Sequence, residues 1–589
     1  MKFIAAILLF SCFAFGQNEQ LAQYYFDKGD FGKALLSYEE LVKAQPQNAI
    51  YFQKLIESHQ QLSKFAEAKM LIEDRIQKYK QAHLLVELGY NYHLQKNEVQ
   101  AKKYYEEALE KIKTSQNEVY TIASTFERRS LIEYALRAYQ TAREIDSRYN
   151  FNYQMAVLYG QLGNHEMMIN TFLDEAYANA NSVIVIQSQL SRFMNEDAEE
   201  AFVSQLRKSL LLRAQKNQDV FWNQFLSWFY IQQKEYNKAF IQEKAVYMRN
   251  RENLLNIVNL AQLAMEEGEP AAARDILSFV LENTDDPELE IQSHFFLTKM
   301  KLDAITPDGS ATFDAELTSV LDTFGRSAYT LQLQLMHAHF TAFHLMNPEK
   351  AKLMLEQALD LPLNKFQQSE IKMKLADILL FEQKFNQALL YYSQIEEDLK
   401  NDAIGHEASL KAARTSYFKE DFEWAQKQFK ELKSASSQLI ANDALEYFLL
   451  LTDNTAADST QTALKKFAKA DYLVYQNKPS EALARFLDIL QQHKGEEIEA
   501  VTLLRIGTLY EKSGDVAKAL ETYQKLLAQH AESIYVDEAL FFSANIQNRL
   551  GRPEEAKSLY EKLIFNHPDS IHFVEARKQF RTLRGDTNL

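Results

Sequence analysis

The sequence has 589 residues, of which 46% are apolar and 25% are charged, and its formal net charge is −16. This length is too great for a single hydrophobic core, and the near-average globular composition excludes a disordered chain. The acidic balance argues against nucleic acid as a partner, because binding a polyanion needs clustered cations. Only 15 Gly and 9 Pro are present, too few to turn many strands, so an all-α protein is predicted.

The first sixteen residues have the pattern of a secretory signal peptide. Lys2 precedes an apolar run from Phe3 to Phe10, and Ala14-Phe15-Gly16 places small residues before a cleavage site at Gln17. The run is shorter than the roughly 20 apolar residues that span a bilayer. The sequence therefore predicts an exported, periplasmic protein that loses residues 1–16 and has no transmembrane segment.

Cys12 is the only cysteine, and it follows Leu9-Phe10-Ser11. This stretch must be compared with the lipobox, in which a cysteine after a small residue becomes a lipidated N-terminus. Phe10 is bulky for that motif, and cleavage before Gln17 would leave a mature chain without disulfides or a thiolate nucleophile. Two interpretations stay open: a soluble periplasmic protein, or an outer-membrane lipoprotein anchored through Cys12.

One pattern of small and aromatic residues recurs along the chain that follows. Ala34, Ala68, Ala101 and Ala135 are spaced by 34, 33 and 34 residues. Two amphipathic helices fit in each unit, and Gly89 with Ala101 is predicted at a close crossing, where only small residues let helix backbones approach. A unit this small cannot bury its apolar face alone, so neighbouring units must stack into a solenoid.

This spacing resembles the tetratricopeptide repeat family, and the resemblance extends from about Leu21 to Leu583. It implies an all-α, superhelical solenoid of antiparallel helix pairs with about 15 repeats. It also implies a binding role, since the family consists mainly of scaffolds for other proteins or peptides.

Prolines occur at a fixed position in the same repeat. Four prolines each stand three residues before a landmark alanine, which predicts that they occupy the first turn of a second helix, where a missing N–H costs nothing. They are Pro270, Pro348, Pro479 and Pro553. Aromatic residues are predicted at this place in five other units, namely Phe31, Phe65, Tyr236, Phe385 and Phe422.

The register divides the mature chain into four predicted arrays, covering residues 17–175, 176–330, 331–452 and 453–589. The second contains degenerate repeats and an inserted loop at Asp303–Thr312. The fourth has a 37-residue period and ends in a polar-backed capping helix at 571–583. The spacing between Ala425 and Ala482 leaves an odd helix count, which predicts a break and a hinge at 453–460.

The last repeats carry a second resemblance. Pro568-Asp569-Ser570, leading into Glu575-Ala576-Arg577, is similar to periplasmic repeat proteins of Gram-negative bacteria: the outer-membrane lipoprotein of the barrel-assembly machinery and the Tol–Pal coordinator. This resemblance implies a setting in the bacterial cell envelope and partners among envelope proteins.

No catalytic constellation is found in the sequence. His337, His339 and His344 form the densest histidine group, but positions 337 and 344 share a helix face while 339 points elsewhere. No His-Glu-x-x-His spacing occurs. A metal-dependent hydrolase using this group is therefore the least favoured alternative, and neither catalytic residues nor metal ligands nor a cofactor are predicted.

The family resemblance also implies a groove, because the first helix of each unit lines the concave face. Its groove positions fall on nine residues: His83, Tyr90, His93, Tyr120, Glu127, Arg128, Asn150, Tyr153 and Gln161. Aromatic, Arg and Asn side chains suit peptide recognition, and the alternative for each is an ordinary packing or solvated residue. The Lys and Asn clamp of cytosolic chaperone adaptors is absent, since Val86 and Tyr90 occupy two of its positions.

Together these features favour a non-catalytic periplasmic scaffold or adaptor that binds other envelope proteins. The alternative is a subunit of an envelope assembly or secretion machinery, anchored to the outer membrane.

Overall fold

A computed structural model describes residues 18–585 except 147, 196–199, 252–253, 304, 306–308, 436–437 and 457–459. These described residues contain 32 α-helices and no strand, and consecutive helices form pairs. The predicted all-α solenoid of paired helices is therefore confirmed. The predicted signal peptide and Cys12 lie outside the described residues.

Contacts divide the chain into two compact units, Met1–Leu226 and Ser227–Leu589. The first unit contains α1 (18–27), α2 (Phe31–Ala44), α3 (Ala49–Gln61), α4 (Phe65–Tyr79), α5 (His83–Leu94), α6 (Glu98–Thr114), α7 (Val119–Arg128), α8 (Ile132–Ile145), α9 (Asn152–Gln161), α10 (His165–Ala178), α11 (Val183–Asn195) and α12 (Glu200–Lys216). Helix α13 (Val220–Gln232) contains the division. The four arrays predicted above stay a prediction.

The second unit continues with α14 (Tyr236–Arg249), α15 (Leu255–Glu266), α16 (Pro270–Asn283), α17 (Pro287–Asp303), α18 (Ser310–Phe324), α19 (Leu331–Phe343), α20 (Pro348–Leu359), α21 (Lys365–Phe381), α22 (Phe385–Asp398), α23 (Ala403–Phe418) and α24 (Phe422–Ala435). It ends with α25 (Gln438–Ala456), α26 (Thr462–Tyr475), α27 (Pro479–Gln492), α28 (Ile498–Lys512), α29 (Val516–Gln529), α30 (Val536–Arg549), α31 (Pro553–Asn566) and α32 (Phe573–Arg584). The predicted loop at Asp303–Thr312 is shorter, because α17 ends at Asp303 and α18 begins at Ser310.

Second helices begin where the register predicts. Pro270, Pro348, Pro479 and Pro553 are the first residues of α16, α20, α27 and α31. The five predicted aromatic residues open α2, α4, α14, α22 and α24. Proline is tolerated there because the first turn of a helix has no intrahelical acceptor for its N–H.

Close crossings of first and second helices hold each pair together. A Cβ added at Gly89 would lie 2.5 Å from Tyr105 Cε1 and 3.0 Å from the Ala101 carbonyl oxygen. The predicted crossing of Gly89 and Ala101 is therefore confirmed. Gly507 repeats the arrangement in the second unit, where its added Cβ would lie 2.3 Å from Tyr523 Cε1.

The predicted odd helix count is explained by α25 and α26. Two helices, instead of one first helix, lie between the second helices α24 and α27. Tyr472 and Gln476, at the end of α26, donate hydrogen bonds to main-chain carbonyls at the end of α21: the Tyr472 hydroxyl to Leu380 O at 2.6 Å and Gln476 Nε2 to Phe381 O at 2.9 Å. Helix α26 therefore supplies donors for Phe381 O and a second donor for Leu380 O, which already accepts from the Gln383 N–H at 3.0 Å. Part of the predicted hinge, residues 457–459, lies outside the described residues.

The C-terminal helix α32 begins at Phe573 and ends at Arg584 rather than spanning 571–583. Ala576 is buried, and Phe580 and Leu583 pack against the core of the second unit. Ile571 is 63% exposed because it precedes the helix. Within the described ranges, none of the helices is both long and apolar enough to cross a bilayer.

Candidate protein-binding grooves

In the first unit, the first helices α3, α5 and α7 surround a cavity of about 310 Å³. Two of the predicted groove residues line it, His83 at the start of α5 and Arg128 at the end of α7. Phe52 and Ile56 of α3 supply an apolar side, and Gln53, Glu87 and Thr125 supply polar groups. An apolar cleft with a few convergent polar groups is typical of ligand sites.

A buried ion network joins the three helices beneath this cavity. Arg129 donates from Nε and Nη2 to Glu87 Oε2 at 3.0 and 2.6 Å, and its Nη1 lies 3.3 Å from Glu57 Oε1. Arg128 Nη2 adds a contact of 3.3 Å to Glu87 Oε1. One arginine thus connects α7 to α5 and α3, and fixes the spacing of the cavity walls.

Two cations set the electrostatics at the cavity. Burial, together with the positive charges of Arg128 and Arg75, lowers the pKa of His83 to about 4. His83 is therefore neutral at pH 7 and can both donate and accept a hydrogen bond. Arg75 lies over the Phe52 ring at 4.1 Å and donates to the Pro46 carbonyl at 2.8 Å. Arg75 therefore contributes packing and a hydrogen bond as well as a positive charge.

Tyr120 is the most accessible of the predicted aromatic groove residues, with 52% of its surface exposed. Gln154 Nε2, on the next first helix α9, donates to the Tyr120 hydroxyl at 2.5 Å. Tyr90 lies under the Arg129 guanidinium at 4.7 Å and stacks on His93 at 5.9 Å. His93 is exposed, and its Nδ1 lies 2.8 Å from Glu98 Oε1.

The remaining predicted residues mostly contact the second helix of their own repeat. Glu127 accepts from the Tyr139 hydroxyl at 3.4 Å, and burial raises the pKa of its carboxyl. Asn150 donates to Glu175 at 2.5 Å, and the Tyr153 ring meets Phe172 edge-on at 5.7 Å. Gln161 is exposed at the end of α9. The structure therefore brings His83 and Arg128 to one cavity and leaves the other seven outside it.

Sequence reasoning missed Glu87 and Arg129, whose contacts organise this groove. Glu87 lies in the middle of α5 with only 2% of its surface exposed. A charged residue is almost never so deeply buried unless it is paired. An isolated Glu inside an otherwise apolar helix face was the only available signal.

The second unit has its own series of cavities between first helices. Cavities of about 430, 400 and 360 Å³ follow one another along α17, α19, α21 and α23. Neighbours share lining residues: Phe295 and Gln332 border the first two, and His339 borders the last two. The surface they form is continuous, and we name it the C-terminal groove.

Tetratricopeptide repeat family models match residues 504–571 and 18–48. The chain contains tetratricopeptide repeats. The matched stretches lie near the two ends of the chain, and the helix pairs between them continue the same arrangement. No curated protein matched the sequence.

Several solved structures match this chain at low sequence identity. The structure titled Naa15/Naa10 bound to HypK-THB is 12% identical, with 97% of each chain covered and a TM-score of 0.30. Yeast Tom70 is 14% identical, with 82% of this chain and 100% of that chain covered and a TM-score of 0.30. The APC/C hetero-tetramer Cut9-Hcn1 is 12% identical, with 98% of each chain covered and a TM-score of 0.23. At these scores the likenesses carry no argument about function.

The histidine group differs from the prediction. His339 and His344, rather than His337 and His344, line one cavity, with ring centroids 6.5 Å apart. His344 is the C-cap residue of α19, and its N–H donates to the Phe340 carbonyl. His337 turns the other way, and its Nε2 lies 2.7 Å from Asp314 Oδ1 of α18. Among the residues described, no group of three His, Cys, Asp or Glu is placed to hold a metal.

Proposed function

We propose that this protein is a non-catalytic scaffold of the bacterial cell envelope, which binds extended segments or helices of other envelope proteins between its first helices. Tetratricopeptide repeats support the binding role, because such repeats display concave surfaces rather than catalytic groups. The observation that carries the proposal is the cavity of α3, α5 and α7, with Arg128 at its border and exposed Tyr120 on the same helix.

Tyr and Arg are the side chains most enriched where binding energy concentrates. Arg128 is 40% exposed, and the same nitrogen, Nη2, contacts Glu87 Oε1 at 3.3 Å and donates to Thr125 Oγ1 at 3.1 Å, so its guanidinium can donate to a further partner. Tyr120 presents an apolar ring beside a hydroxyl that already links α7 to α9. These two residues give the groove a rigid aromatic contact and an adaptable cation.

The envelope setting rests on the N-terminal sequence and on the resemblance of the last repeats to periplasmic proteins. Lys2 with the apolar run to Phe10, followed by Ala14-Phe15-Gly16, is typical of an export signal. Expression of the full gene in a Gram-negative host, followed by fractionation, tests this part. Recovery of the uncleaved protein in the cytoplasm would contradict it.

Site-specific crosslinking tests the groove itself. A photoreactive residue placed at Tyr120 should crosslink to discrete envelope proteins, and Arg128→Ala should weaken those crosslinks. Arg137→Ala is the matched control, because Arg137 is also an exposed arginine that pairs with a glutamate of the neighbouring repeat, Glu106, at 2.8 Å. Crosslinks that survive Arg128→Ala as well as they survive Arg137→Ala would remove this groove from the proposal.

The second candidate is an outer-membrane subunit of an assembly or secretion machinery. It is favoured by one feature, the single Cys12 directly after Ser11. Mass spectrometry of the mature N-terminus separates the two candidates, because a diacylglyceryl group on Cys12 requires the anchored form. Free or cyclised Gln17 at the N-terminus requires the soluble form.

A further inference from the structure

The C-terminal groove contains an arginine, Arg414, in which one donor atom has no hydrogen-bond partner. Arg414 of α23 lines the 360 Å³ cavity together with Phe343, Leu380, Phe418 and Tyr475. Its Nε atom is buried and has no hydrogen-bond partner, and within the described part of the chain Arg414 takes part in no ion pair. Arg414 is only partly buried and borders the cavity, so a ligand there can accept a charge-assisted hydrogen bond from its guanidinium.

The neighbouring charges are already satisfied by one another. Lys411 Nζ contacts Asp377 Oδ2 at 2.9 Å and Glu407 Oε1 at 3.2 Å, and the Tyr392 hydroxyl donates to Asp377 Oδ1 at 2.6 Å. Asp377 is therefore not available to neutralise Arg414. Of the two cations that line the cavity, Lys411 has carboxylate partners, whereas Arg414 forms no ion pair among the described residues.

Another carboxylate that acts on Arg414, that of Asp471, is also engaged. Asp471 accepts from the Tyr447 hydroxyl at 3.4 Å and lies 3.9 Å from Arg505 Nε. Tyr447, and then the charge of Asp471, raise the pKa of Arg414 above its ordinary value, although burial opposes the shift. Arg414 is therefore positively charged at every accessible pH.

Aromatic and aliphatic groups surround this cation. The Arg414 guanidinium lies 5.8 Å from the Phe418 ring and 5.6 Å from the Tyr447 ring, which holds it in place by cation–π attraction. Phe343 and Leu380 complete an apolar wall. A ligand must therefore combine a planar anion, which matches the guanidinium fork, with apolar groups beside it.

The adjoining 400 Å³ cavity supports a partner longer than a small molecule. It is lined by two cations, Lys299 and Lys374, and by two carboxylates, Glu370 and Glu407, so it has no net charge. Phe418 also lines a further cavity of about 520 Å³. Because further cavities adjoin the cavity of Arg414 on both sides, the site suits a side chain within a segment rather than a chain terminus.

We propose that the C-terminal groove binds an extended protein segment in which an acidic side chain, flanked by apolar residues, places its carboxylate on Arg414. This inference rests on the proposed scaffold function and adds a second, chemically specific binding site to it. The carboxylate would accept from the guanidinium of Arg414, which borders the cavity, and the flanking residues would enter the apolar parts of the neighbouring cavities.

Three fluorescent peptides test this proposal on the full mature chain. The first is acetyl-Ser-Leu-Phe-Glu-Leu-Leu-Ser-amide, the second has Gln in place of Glu, and the third is the Gln peptide with a free C-terminal carboxylate. Fluorescence polarisation should show the Glu peptide binding about tenfold or more tightly than the Gln peptide, the difference expected of a charge-assisted hydrogen bond. The Gln peptide with a free carboxylate should bind no better than its amide.

Variants locate the effect. Arg414→Met should abolish the preference for Glu, and Arg414→Lys should retain part of it, since charge remains but the planar fork is lost. Arg577→Met, which removes an exposed arginine of α32, is the matched control and should leave the preference unchanged. Circular dichroism confirms that each variant is folded.

Equal binding of the Glu and Gln peptides, no binding of either, or a Glu preference that survives Arg414→Met would overturn the proposal. Preference for the free C-terminal carboxylate alone would also overturn it, in favour of terminus recognition. These results are distinguishable from failure of the scaffold function, because crosslinking at Tyr120 reports on a different unit of the chain and does not involve Arg414.

Discussion

Arg129→Met should be among the most destabilising single changes in the first unit. The arginine side chain is 9% exposed and that of Glu87 is 3% exposed, so methionine would fill similar volume while leaving a buried carboxylate without its main partner. Removing one member of a buried ion pair costs about 3–5 kcal/mol. Arg128 still reaches Glu87 at 3.3 Å, although it is 40% exposed, so a loss near the lower end, about 3 kcal/mol, is expected.

Hydrogen exchange measured by mass spectrometry is suited to this test, because it reports local stability in a chain too large for two-state unfolding. Peptides from α3, α5 and α7 should exchange roughly two orders of magnitude faster in Arg129→Met, since each 1.4 kcal/mol is about tenfold. Peptides from the second unit serve as the internal reference. The control Arg137→Met removes an exposed pair and should change exchange by less than about threefold.

A second substitution tests whether the lost stability comes from the unpaired carboxylate of Glu87. If the cost comes from an unpaired buried carboxylate, Glu87→Gln introduced into Arg129→Met should restore part of the lost protection, about 1 kcal/mol or more. The electrostatic account would be refuted if the effects of Arg129→Met and Glu87→Gln on exchange protection were strictly additive. It would also be refuted if Arg129→Met had no larger effect than Arg137→Met, and only loss of packing would then explain the result.

Three further outcomes are expected. Gly507→Ala should lower the melting temperature by overpacking against Tyr523, at a cost of about 1–3 kcal/mol, whereas Gly32→Ala in α2, where the nearest atom to an added Cβ is 3.9 Å away, should be neutral or stabilising. Tyr472→Phe should cost about 1 kcal/mol and raise hydrogen exchange at the α21–α22 turn, because Leu380 O and Phe381 O each lose one of their two donors. Burial, and then the charge of Glu446, raises the pKa of Glu538 from 4.5 to about 7. Its contribution to stability is therefore complete below pH 4.5 and is lost as the pH rises to about 7, so Glu538→Gln should flatten the urea midpoint across that range.

Local residue patterns predicted the helix pairs because helix boundaries depend on neighbours within a few positions. Pro553 can open α31 since its missing N–H is not needed in the first turn. Asn97 accepts from the Gln100 N–H and thereby starts α6. Gly89 marks a crossing because no larger residue fits against Tyr105. These causes can be read within one repeat.

The groove was only partly predictable, because family positions identify a helix face but not each side chain's partner. His83 and Arg128 line the cavity of α3, α5 and α7, whereas Tyr153 packs on Phe172 of its own repeat. Arg129, beside the selected Arg128, is the C-cap residue of α7, and it reaches back to Glu87. A one-residue difference at a helix end therefore separated the residue at the cavity from the one that supports it.

The sequence by itself determined the all-helical class, the repeat register, the close crossings and the additional helix between Ala425 and Ala482, since each follows from periodicity within a few tens of residues. Only the tertiary structure decided which distant residues meet. Tyr472 reaches Leu380 across 92 positions, and Arg414 is left with an unused donor beside an already paired Asp377. Such contacts depend on rotations accumulated over several helix pairs, which no single repeat encodes.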